Sequence, residues 1–401
     1  MRSTWSFHTA GQLTFGTGSI RQIGDLASRR GIGRALLITD VNLVNAGLLD
    51  KVRTPLVEAG ISTATFDGGE AEPSIHAALR AIDHAQRFQP DAIIGIGGGS
   101  NMDLAKITAI VVKHGGELSD YFGFDFVPGP VLPLICVPTT SGTGSEVSHA
   151  AVLTDTENEV KVSVLSNYLR PTVALVDPEL AYSCPKQVTA DSGIDALTHA
   201  IEAYTATDYQ KMVVPPGEKY AYEGRFPLGD CLAEKSIELI GRHLVQAVND
   251  PNHLEARDGM ALAATLAGIA FSNAGVALVH ALEYPLGGAL HCSHGAGNGL
   301  LLPYVMRYNL PERKATLARI ATLLGHDVAN LNEDQAAEQA ITAVEQLRRD
   351  IGIPARIRDI GGTGEQLRTF AEKAFTIKRL MWVNPRDPTL EDLLGILQEA
   401  L

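Results

Sequence analysis

The sequence predicts an α/β domain built on a parallel sheet, followed by an all-helical domain. In the first half, short continuous apolar runs alternate with amphipathic segments, a pattern typical of parallel strands covered by helices. From about Thr189 to the end, the apolar residues follow helical periodicity almost throughout. A chain of 401 residues is also long enough for more than one domain of about 150 residues.

The predicted strands are apolar runs that end at small or polar residues. Four segments qualify, at residues 35–40, 92–96, 131–137 and 172–177. Amphipathic helices are predicted between them, at 74–88 and 100–113. The boundary is predicted near residues 181–188, so that residues 1–185 form the α/β domain and residues 186–401 form the helical domain.

The second half contains several long helical patterns, at residues 230–249, 254–274, 311–324 and 334–351. The last helix is predicted to begin at Thr389, with Asp392 three residues later completing a variant of the capping box. A segment rich in proline and glycine, Tyr209–Gly229, interrupts this helical region. It is either a surface loop or a loop that shapes a substrate pocket.

The composition excludes several classes of function. The net charge is −13 and the basic residues are scattered, so nucleic-acid binding and binding to an anionic membrane are not expected. The four cysteines are far apart and form no Cys-x-x-Cys motif, which favours a reducing cytoplasm over a disulfide framework. We find no signal-peptide pattern and no apolar run of the ~20 residues that a membrane span needs.

A glycine-rich turn is the first candidate for nucleotide binding. Gly97, Gly98, Gly99 and Ser100 follow a predicted strand and open a predicted helix. Glycines let the backbone approach a pyrophosphate, and the first N–H groups of a helix stabilise an anion. Close packing of a strand against a helix also favours glycine, so this alternative stays open.

A hydroxyl-rich segment, residues 138–146, follows another predicted strand. Its hydroxyl groups are suited to hydrogen bonds with ribose, phosphate and amide groups, unless the segment is only a solvated turn. Asp40 ends the first strand, where a carboxylate accepts hydrogen bonds from a ribose diol and repels a 2′-phosphate. Asp40 therefore favours NAD over NADP, with an ordinary N-cap as the alternative. Lys161 is either a cofactor contact or a solvated lysine.

Four residues form a candidate metal site. Asp195 and His199 are four residues apart, so they project from one face of a helix. His280 and His294 follow on small, apolar stretches. One carboxylate and three imidazoles suit Fe²⁺, Zn²⁺, Co²⁺ or Ni²⁺. Each histidine taken singly is better explained as a structural residue; the combination indicates the metal.

Together these segments resemble the iron-containing (group III) alcohol dehydrogenase family over nearly the whole chain. The resemblance implies a dehydroquinate synthase-like architecture, with a dinucleotide-binding domain and a helical metal-binding domain. It implies NAD as cofactor, and Fe²⁺ as metal with Zn²⁺ as the alternative. The implied metal ligands are Asp195, His199, His280 and His294. The implied cofactor contacts are Asp40, Gly97, Gly98, Gly99, Ser100, Asp103, Thr139, Thr140, Thr143, Ser145 and Lys161.

The implied reaction is hydride transfer between NAD and a primary alcohol or a hydroxyacid such as 4-hydroxybutyrate, with the metal holding the substrate oxygen. The enzyme is expected to be a cytoplasmic homo-oligomer, a dimer, acting on small molecules. A lyase similar to dehydroquinate synthase is an alternative. The sequence around Asp195 and His199 and the hydroxyl-rich segment both favour the dehydrogenase.

Two departures from the common family pattern resemble the hydroxyacid-oxoacid transhydrogenase branch, whose members retain NAD. Tyr284 stands where many members have a histidine, and Glu72 precedes Pro73 where commoner members have an asparagine. The insertion Tyr209–Gly229 points to the same branch. A hydroxyacid needs a cationic partner, for which the insertion offers Lys211, Lys219 and Arg225.

Overall fold

The computed structural model describes residues 2–157 and 160–401 and divides the chain into two compact units. The α/β unit spans His8–Ser183, and the helical unit spans Cys184–Leu401 together with the N-terminal segment that ends at Phe7. The predicted boundary lies two residues later, and the N-terminal segment was predicted to belong to the first domain. The segment packs with the helical unit because the ring of Trp5 lies 4.7 Å from that of Phe226, centroid to centroid.

Within the described residues, the α/β unit contains short strands and helices in alternation. The strands are β1 (Leu13–Phe15), β2 (Arg34–Ile38), β3 (Ser62–Phe66), β4 (Ala92–Gly97), β5 (Gly123–Phe124), β6 (Leu134–Pro138), β7 (Ala150–Asp155), β8 (Val160–Leu165) and β9 (Val173–Val176). The helices are α1 (Ile23–Ser28), α2 (Val41–Asn45), α3 (Leu48–Glu58), α4 (Ile75–Phe88) and α5 (Gly99–His114).

Six strands form a parallel sheet in the order β1-β9-β6-β4-β2-β3. Alternate residues of each strand face opposite sides, so the sheet separates two apolar cores. Leu36 and Ile93 pack in the core with α4 and α5, whereas Leu37 and Ile94 pack in the core with α1 and α3. This burial on both faces explains why the central strands are continuously apolar.

The topology gathers the candidate nucleotide residues at one edge of the sheet. β2, β4 and β6 are neighbours and parallel, so their carboxyl ends meet there. The strand order reverses at this point. Along the chain, β3 lies on one side of β2, whereas β4 and then β6 lie on the other side. Ligands of open α/β sheets bind at such a switch point, outside the carboxyl ends of the strands.

The helical unit contains nine α-helices among the described residues. They are α6 (Lys186–Thr205), α7 (Pro227–Asn249), α8 (Leu254–Ala274), α9 (Leu278–Leu290), α10 (His294–Leu323), α11 (Glu333–Asp350), α12 (Leu367–Phe375), α13 (Lys378–Met381) and α14 (Leu390–Ala400). α6 packs against α7, α8 and α10, and α9 packs against α10 and α12. α10 has a kink at Arg313, two residues after Pro311.

The predicted fold class is confirmed, and Thr389 and Asp392 form the predicted capping box of the last helix. The predicted helix at 311–324 is the end of the longer α10. Strands β1, β3, β5, β7 and β8 were not predicted; β1 and β5 are only three and two residues long. β3 is Ser-Thr-Ala-Thr-Phe, and β7 pairs with β8 in a small second sheet of mixed polarity. β3 and β8 mix polar with apolar residues and lack the continuous apolar run by which β2, β4, β6 and β9 were predicted, whereas β7 begins with a short apolar run that was not singled out.

No single helix among the described residues is long and apolar enough to cross a membrane. The pair α8 and α9 meets the length and composition test only when taken together, and the two helices are bent by 105° at the break between them.

Candidate metal centre and nucleotide site

Three helices bring the predicted metal ligands together within the helical unit. Asp195 and His199 lie one turn apart on α6, His280 lies near the start of α9, and His294 begins α10. Asp195, His280 and His294 offer ligand atoms that all lie within 4.8 Å of one another. The Nε2 atoms of His280 and His294 are each 4.0 Å from Asp195 Oδ1. Three of the four predicted ligands therefore converge on one point.

His199 lies directly beside this group. Its Nδ1 is 4.0 Å from Asp195 Oδ2, and its ring stacks on those of His280 and Phe271 at centroid distances of 4.8 and 4.1 Å. Burial lowers the pKa of His199 to about 4, so the imidazole is neutral at neutral pH, the form that ligates metals. Its buried Nδ1 has no hydrogen-bond partner among the described residues.

A close helix contact brings His294 to Asp195. A Cβ atom at Gly295 would lie 2.0 Å from the carbonyl oxygen of Asp191 on α6, so only glycine permits this approach. Ser293 caps α10 by accepting from the N–H of Ala296, and its hydroxyl donates to Asp191 Oδ2 at 2.7 Å. The cap and the glycine together hold the start of α10 against α6.

Two buried glutamates orient the histidines. His280 Nδ1 lies 2.6 Å from Glu202 Oε2, and His294 Nδ1 lies 2.5 Å from Glu283 Oε2. A carboxylate accepts hydrogen bonds, so each Nδ1 is the donor and each Nε2 keeps its lone pair toward the centre. Histidines that bind metals are commonly held in this way. Neither Glu202 nor Glu283 was predicted from the sequence as a site residue.

The charge state of Asp195 suits a metal ligand. Burial alone raises the pKa of this carboxyl, but His199, His294, His280 and a hydrogen bond from Asn298 together outweigh it and lower the pKa. Asp195 is therefore ionised at neutral pH. The donor chemistry, the orientation of both Nε2 atoms and the unpartnered nitrogen of His199 all fit a divalent transition-metal ion.

The glycine-rich turn joins β4 to α5 at the carboxyl edge of the sheet. Gly97 has φ of 140°, and a Cβ atom there would lie 2.3 Å from Asn101 Nδ2, so this position requires glycine. Gly98 is the N-cap of α5, and Gly99 and Ser100 form its first turn. Ser100 Oγ donates to the carbonyl oxygen of Ala71 at 2.5 Å. No side chain caps the start of α5 among the described residues, so its first N–H groups can face an anion.

The hydroxyl-rich segment lies next to this turn. The backbone N–H of Thr139 donates to the Gly97 carbonyl oxygen at 3.0 Å. Cβ atoms built at Gly98 and Gly99 would lie 3.6 Å from Thr140 Oγ1 and 2.9 Å from Thr143 Cγ2. The structure therefore brings these predicted residues together, although their contact with a cofactor stays a prediction.

Asp40 is the N-cap of α2, which is the alternative that the sequence left open. Its Oδ1 accepts from the N–H groups of Asn42 and Leu43, and its Oδ2 accepts from Asn101 Nδ2 at 2.8 Å. A carboxylate has about four acceptor positions, of which these bonds use three. The capping role therefore leaves room for a bond from ribose.

Asp103 and Ser145 belong to a buried network around Lys106. Lys106 Nζ donates to Ser145 Oγ at 2.7 Å, to Ser148 Oγ at 3.0 Å and to the carbonyl oxygen of Ala150 at 2.7 Å. Asp103 accepts from Ser145 Oγ at 2.7 Å and lies 3.7 Å from Lys106 Nζ. The network fixes the hydroxyl-rich segment to α5. A direct contact of Asp103 or Ser145 with the cofactor stays a prediction.

The candidate cations of the sequence analysis have partners in the structure. Lys161 Nζ lies 3.2 Å from Glu72 Oε2, and Lys211 Nζ lies 3.6 Å from Asp208 Oδ2. Arg225 Nε donates to both carboxylate oxygens of Asp230 at 3.1 Å. Its guanidinium also lies 4.9 Å from the centre of the Tyr204 ring. Arg225 is thus used within the helical unit.

Comparison with known proteins gives consistent results over the chain. Residues 10–178 match the sequence model of the iron-containing alcohol dehydrogenases, and residues 217–401 match that of the C-terminal part of the Fe-containing alcohol dehydrogenase family. The NAD-dependent methanol dehydrogenase of Bacillus methanolicus is 36% identical over 96% of this chain and 97% of its own. The 1,3-propanediol dehydrogenase of Klebsiella pneumoniae is 38% identical over 96% of both chains. A crystal structure of 1,3-propanediol oxidoreductase, 37% identical, matches with a TM-score of 0.93 over 100% of both chains.

These matches define a class of oxidoreductase that is built from a parallel-sheet unit and a helical metal-binding unit. The chain belongs to the iron-containing alcohol dehydrogenase family. The predicted family, fold class and enzyme class are thereby confirmed, and the predicted iron and NAD agree with the names of the family and of the methanol dehydrogenase. The dehydrogenase is favoured over the lyase alternative. The transhydrogenase branch stays a prediction.

Proposed function

We propose that this chain catalyses the reversible, NAD-linked oxidation of small primary alcohols at a divalent ion, Fe²⁺ or Zn²⁺, held by Asp195, His199, His280 and His294. The observation that carries the proposal is the convergence of one ionised carboxylate and several imidazoles in the core of the helical unit. The relatives act, by name, on methanol and 1,3-propanediol, which are small and uncharged.

The bound ion would lower the pKa of an alcohol and stabilise the charge that develops on its oxygen during hydride transfer. The chain's own residues prepare the site for that ion. Glu202 and Glu283 accept from the Nδ1 atoms of His280 and His294, and so hold the Nε2 lone pairs in place. Burial keeps His199 neutral, with its pKa at about 4. Asp195 supplies the negative charge.

The α/β unit would supply the NAD site. The pyrophosphate is proposed to lie at the N-terminus of α5, where Gly98 and Gly99 leave its backbone exposed to an anion. Thr139, Thr140 and Thr143 are proposed to offer hydroxyl groups to the same cofactor. Asp40 would accept from the adenosine ribose.

Neutral alcohols are favoured over hydroxyacids as substrates. The carboxylate of a hydroxyacid needs a cation, and Arg225 already binds both oxygens of Asp230. The sequence offers Arg225 as a partner for a substrate carboxylate, but its ion pair with Asp230 favours a structural role. Oxidation of 4-hydroxybutyrate, with or without retained NAD, is the alternative substrate class. We also propose that the enzyme is a dimer in the cytoplasm. Analytical ultracentrifugation measures the oligomeric state.

The direct test is anaerobic purification, metal analysis and assay with NAD. We expect about one Fe²⁺ or Zn²⁺ per chain and NADH formation from methanol, ethanol or 1,3-propanediol. Oxidation of 4-hydroxybutyrate that requires 2-oxoglutarate and no added NAD would instead identify the transhydrogenase. A metal-free enzyme that no divalent ion activates would refute the proposed centre.

The cofactor preference gives a further prediction. Replacement of Asp40 by serine keeps an N-cap for α2 but removes the charge that repels a 2′-phosphate. We expect the ratio of kcat/KM with NADP⁺ to kcat/KM with NAD⁺ to rise at least ~10-fold, which is ~1.4 kcal/mol of discrimination. Steady-state kinetics with both cofactors measures the ratio.

The matched control is Asn332→Ala, which removes the N-cap of α11. It is expected to lower stability by ~1 kcal/mol and to leave the cofactor ratio unchanged. An unchanged ratio in Asp40→Ser would show that Asp40 acts only as the cap of α2.

A further inference from the structure

Asn298 lies among the three converging metal ligands. It is fully buried on α10, four residues after His294. Its Nδ2 donates to Asp195 Oδ1 at 2.8 Å and lies 3.2 Å from the Nε2 atoms of both His280 and His294. One amide nitrogen thus contacts a ligand atom of each residue in the group.

The direction of these hydrogen bonds follows from the neighbouring glutamates. Glu202 and Glu283 accept from the Nδ1 atoms, so both Nε2 atoms carry lone pairs. One N–H of the amide donates to Asp195, and the two Nε2 atoms share the other. The amide oxygen of Asn298, turned to the same point, would face three acceptors and no donor. Its Oδ1 is buried, with no hydrogen-bond partner among the described residues. The ligand set therefore determines which way this amide points.

We propose that Asn298 is a positioning residue that holds the carboxylate of Asp195 for the metal. An imidazole Nε2 has one lone pair, so for His280 and His294 a bond to the ion would replace the contact with the amide. The carboxylate of Asp195 has further lone pairs and would keep the bond from Asn298 when it binds the ion. This inference rests on the proposed metal centre and goes beyond it, because Asn298 lies outside the predicted ligand set.

The expected effect of removing the amide follows from this difference. In Asn298→Ala, water takes the place of the amide at the two imidazoles, and the ion must then displace that water. At the two imidazoles, the ion therefore displaces one partner in either protein, the amide in the wild type and water in Asn298→Ala. At Asp195, the variant lacks the hydrogen bond from Asn298 in the metal-loaded state, and nothing compensates for that loss. Loss of a group that orients a ligand weakens metal binding about 10- to 100-fold.

Competition for Zn²⁺ between the protein and a chromogenic chelator measures this affinity directly, without any assay of activity. Asn309→Ala is the matched control. Asn309 lies on the same helix, is 5% exposed and donates to Asn384 Oδ1 at 2.9 Å. We expect Asn298→Ala to bind Zn²⁺ 10- to 100-fold more weakly than the wild type, and Asn309→Ala to bind it as the wild type does. Equal affinities in all three proteins would overturn the proposal.

A second variant, Asn298→Asp, keeps the volume of the side chain but replaces the neutral amide with a negative charge. Without metal, a second carboxylate would face Asp195 and two lone pairs, and repulsion would lower the melting temperature. A bound cation neutralises that repulsion. We therefore expect added Zn²⁺ to raise the melting temperature more in Asn298→Asp than in the wild type, and less in Asn298→Ala.

The two proposals fail in different ways. Identical rises of the melting temperature in the wild type and both Asn298 variants would refute the role of Asn298 and leave the metal centre intact. A wild type that binds no Zn²⁺ would refute the metal centre itself, together with the role that depends on it.

Discussion

Replacement of His280 by alanine is expected to lower kcat/KM for alcohol oxidation about 1000-fold and to reduce the bound metal to a small fraction of one ion per chain. His280 is 2% exposed and supplies one of three converging ligand atoms. Loss of the ion removes a Lewis-acid contribution of several kcal/mol, and ~4 kcal/mol corresponds to ~1000-fold in rate. Metal analysis after desalting and steady-state kinetics with NAD measure the two effects.

His243→Ala is the matched control for loss of a buried histidine. His243 is 6% exposed on α7 of the same helical unit, and it does not belong to the group of converging ligands. Its replacement is expected to lower the melting temperature and to leave the metal content at the wild-type level. A His280→Ala protein that retains both metal and activity would contradict the proposed centre.

His199→Ala separates the fourth predicted ligand from the other three. His199 lies 4.0 Å from Asp195 but outside the group whose ligand atoms approach within 4.8 Å of one another. If His199 ligates, its replacement lowers metal content as His280→Ala does. If His199 only stacks on His280 and Phe271, metal stays bound and the main effect is on stability. The comparison of the two variants therefore tests the predicted number of ligands.

The central strands could be predicted because burial on both faces of the sheet leaves continuous apolar runs. The long helices could be predicted because burial of one helix face leaves a periodic apolar pattern. The sequence also predicted the three residues that converge, Asp195, His280 and His294, while ligation by His199 stays a prediction. The residues that orient them were missed, although a signal was present. Glu202 follows His199 by three positions, Glu283 follows His280 by three, and Asn298 follows His294 by four. Polar residues at these spacings share a helical face with the ligand, within otherwise buried segments.

Other features depended on contacts that no local pattern reveals. Glu283 follows His280 in sequence but accepts from His294 on the next helix. Asp103 and Ser145 match the family motifs, and only the structure shows their hydrogen bond to each other and their contacts with Lys106. Arg225 and Asp230 are five residues apart and pair where the insertion meets α7. The sequence alone does not show whether an arginine in a loop is exposed to solvent or held in an ion pair.

Lys106→Met is expected to destabilise the α/β unit by about 3 kcal/mol, since removing one partner of a buried ion pair typically costs ~3–5 kcal/mol. Lys106 is completely buried, and its three hydrogen bonds join α5 to the segment that contains Ser145, Ser148 and Ala150. Burial raises the pKa of Asp103 and lowers that of Lys106, while their mutual attraction opposes both shifts. Removal of the lysine leaves the carboxyl group of Asp103 without its cation.

Tryptophan fluorescence is a poor measure of this change, because Trp5 and Trp382 both belong to the helical unit. Hydrogen exchange of peptides that cover residues 139–155 observes the α/β unit directly. We expect faster exchange there in Lys106→Met, and weaker NAD binding by calorimetry because the hydroxyl-rich segment is no longer fixed to α5. Lys113→Met, an exposed position on the same helix, is the control and should change neither.

A double variant distinguishes the loss of charge compensation from a loss of packing. With Asp103→Asn added to Lys106→Met, the buried carboxyl group becomes a neutral amide that needs no cation, so part of the lost stability should return. If the effect of Lys106→Met came only from altered packing, the second substitution would add a further loss. Recovery of slow exchange at residues 139–155 in the double variant, with NAD affinity restored in parallel, would therefore link the ion pair to the cofactor segment that it supports.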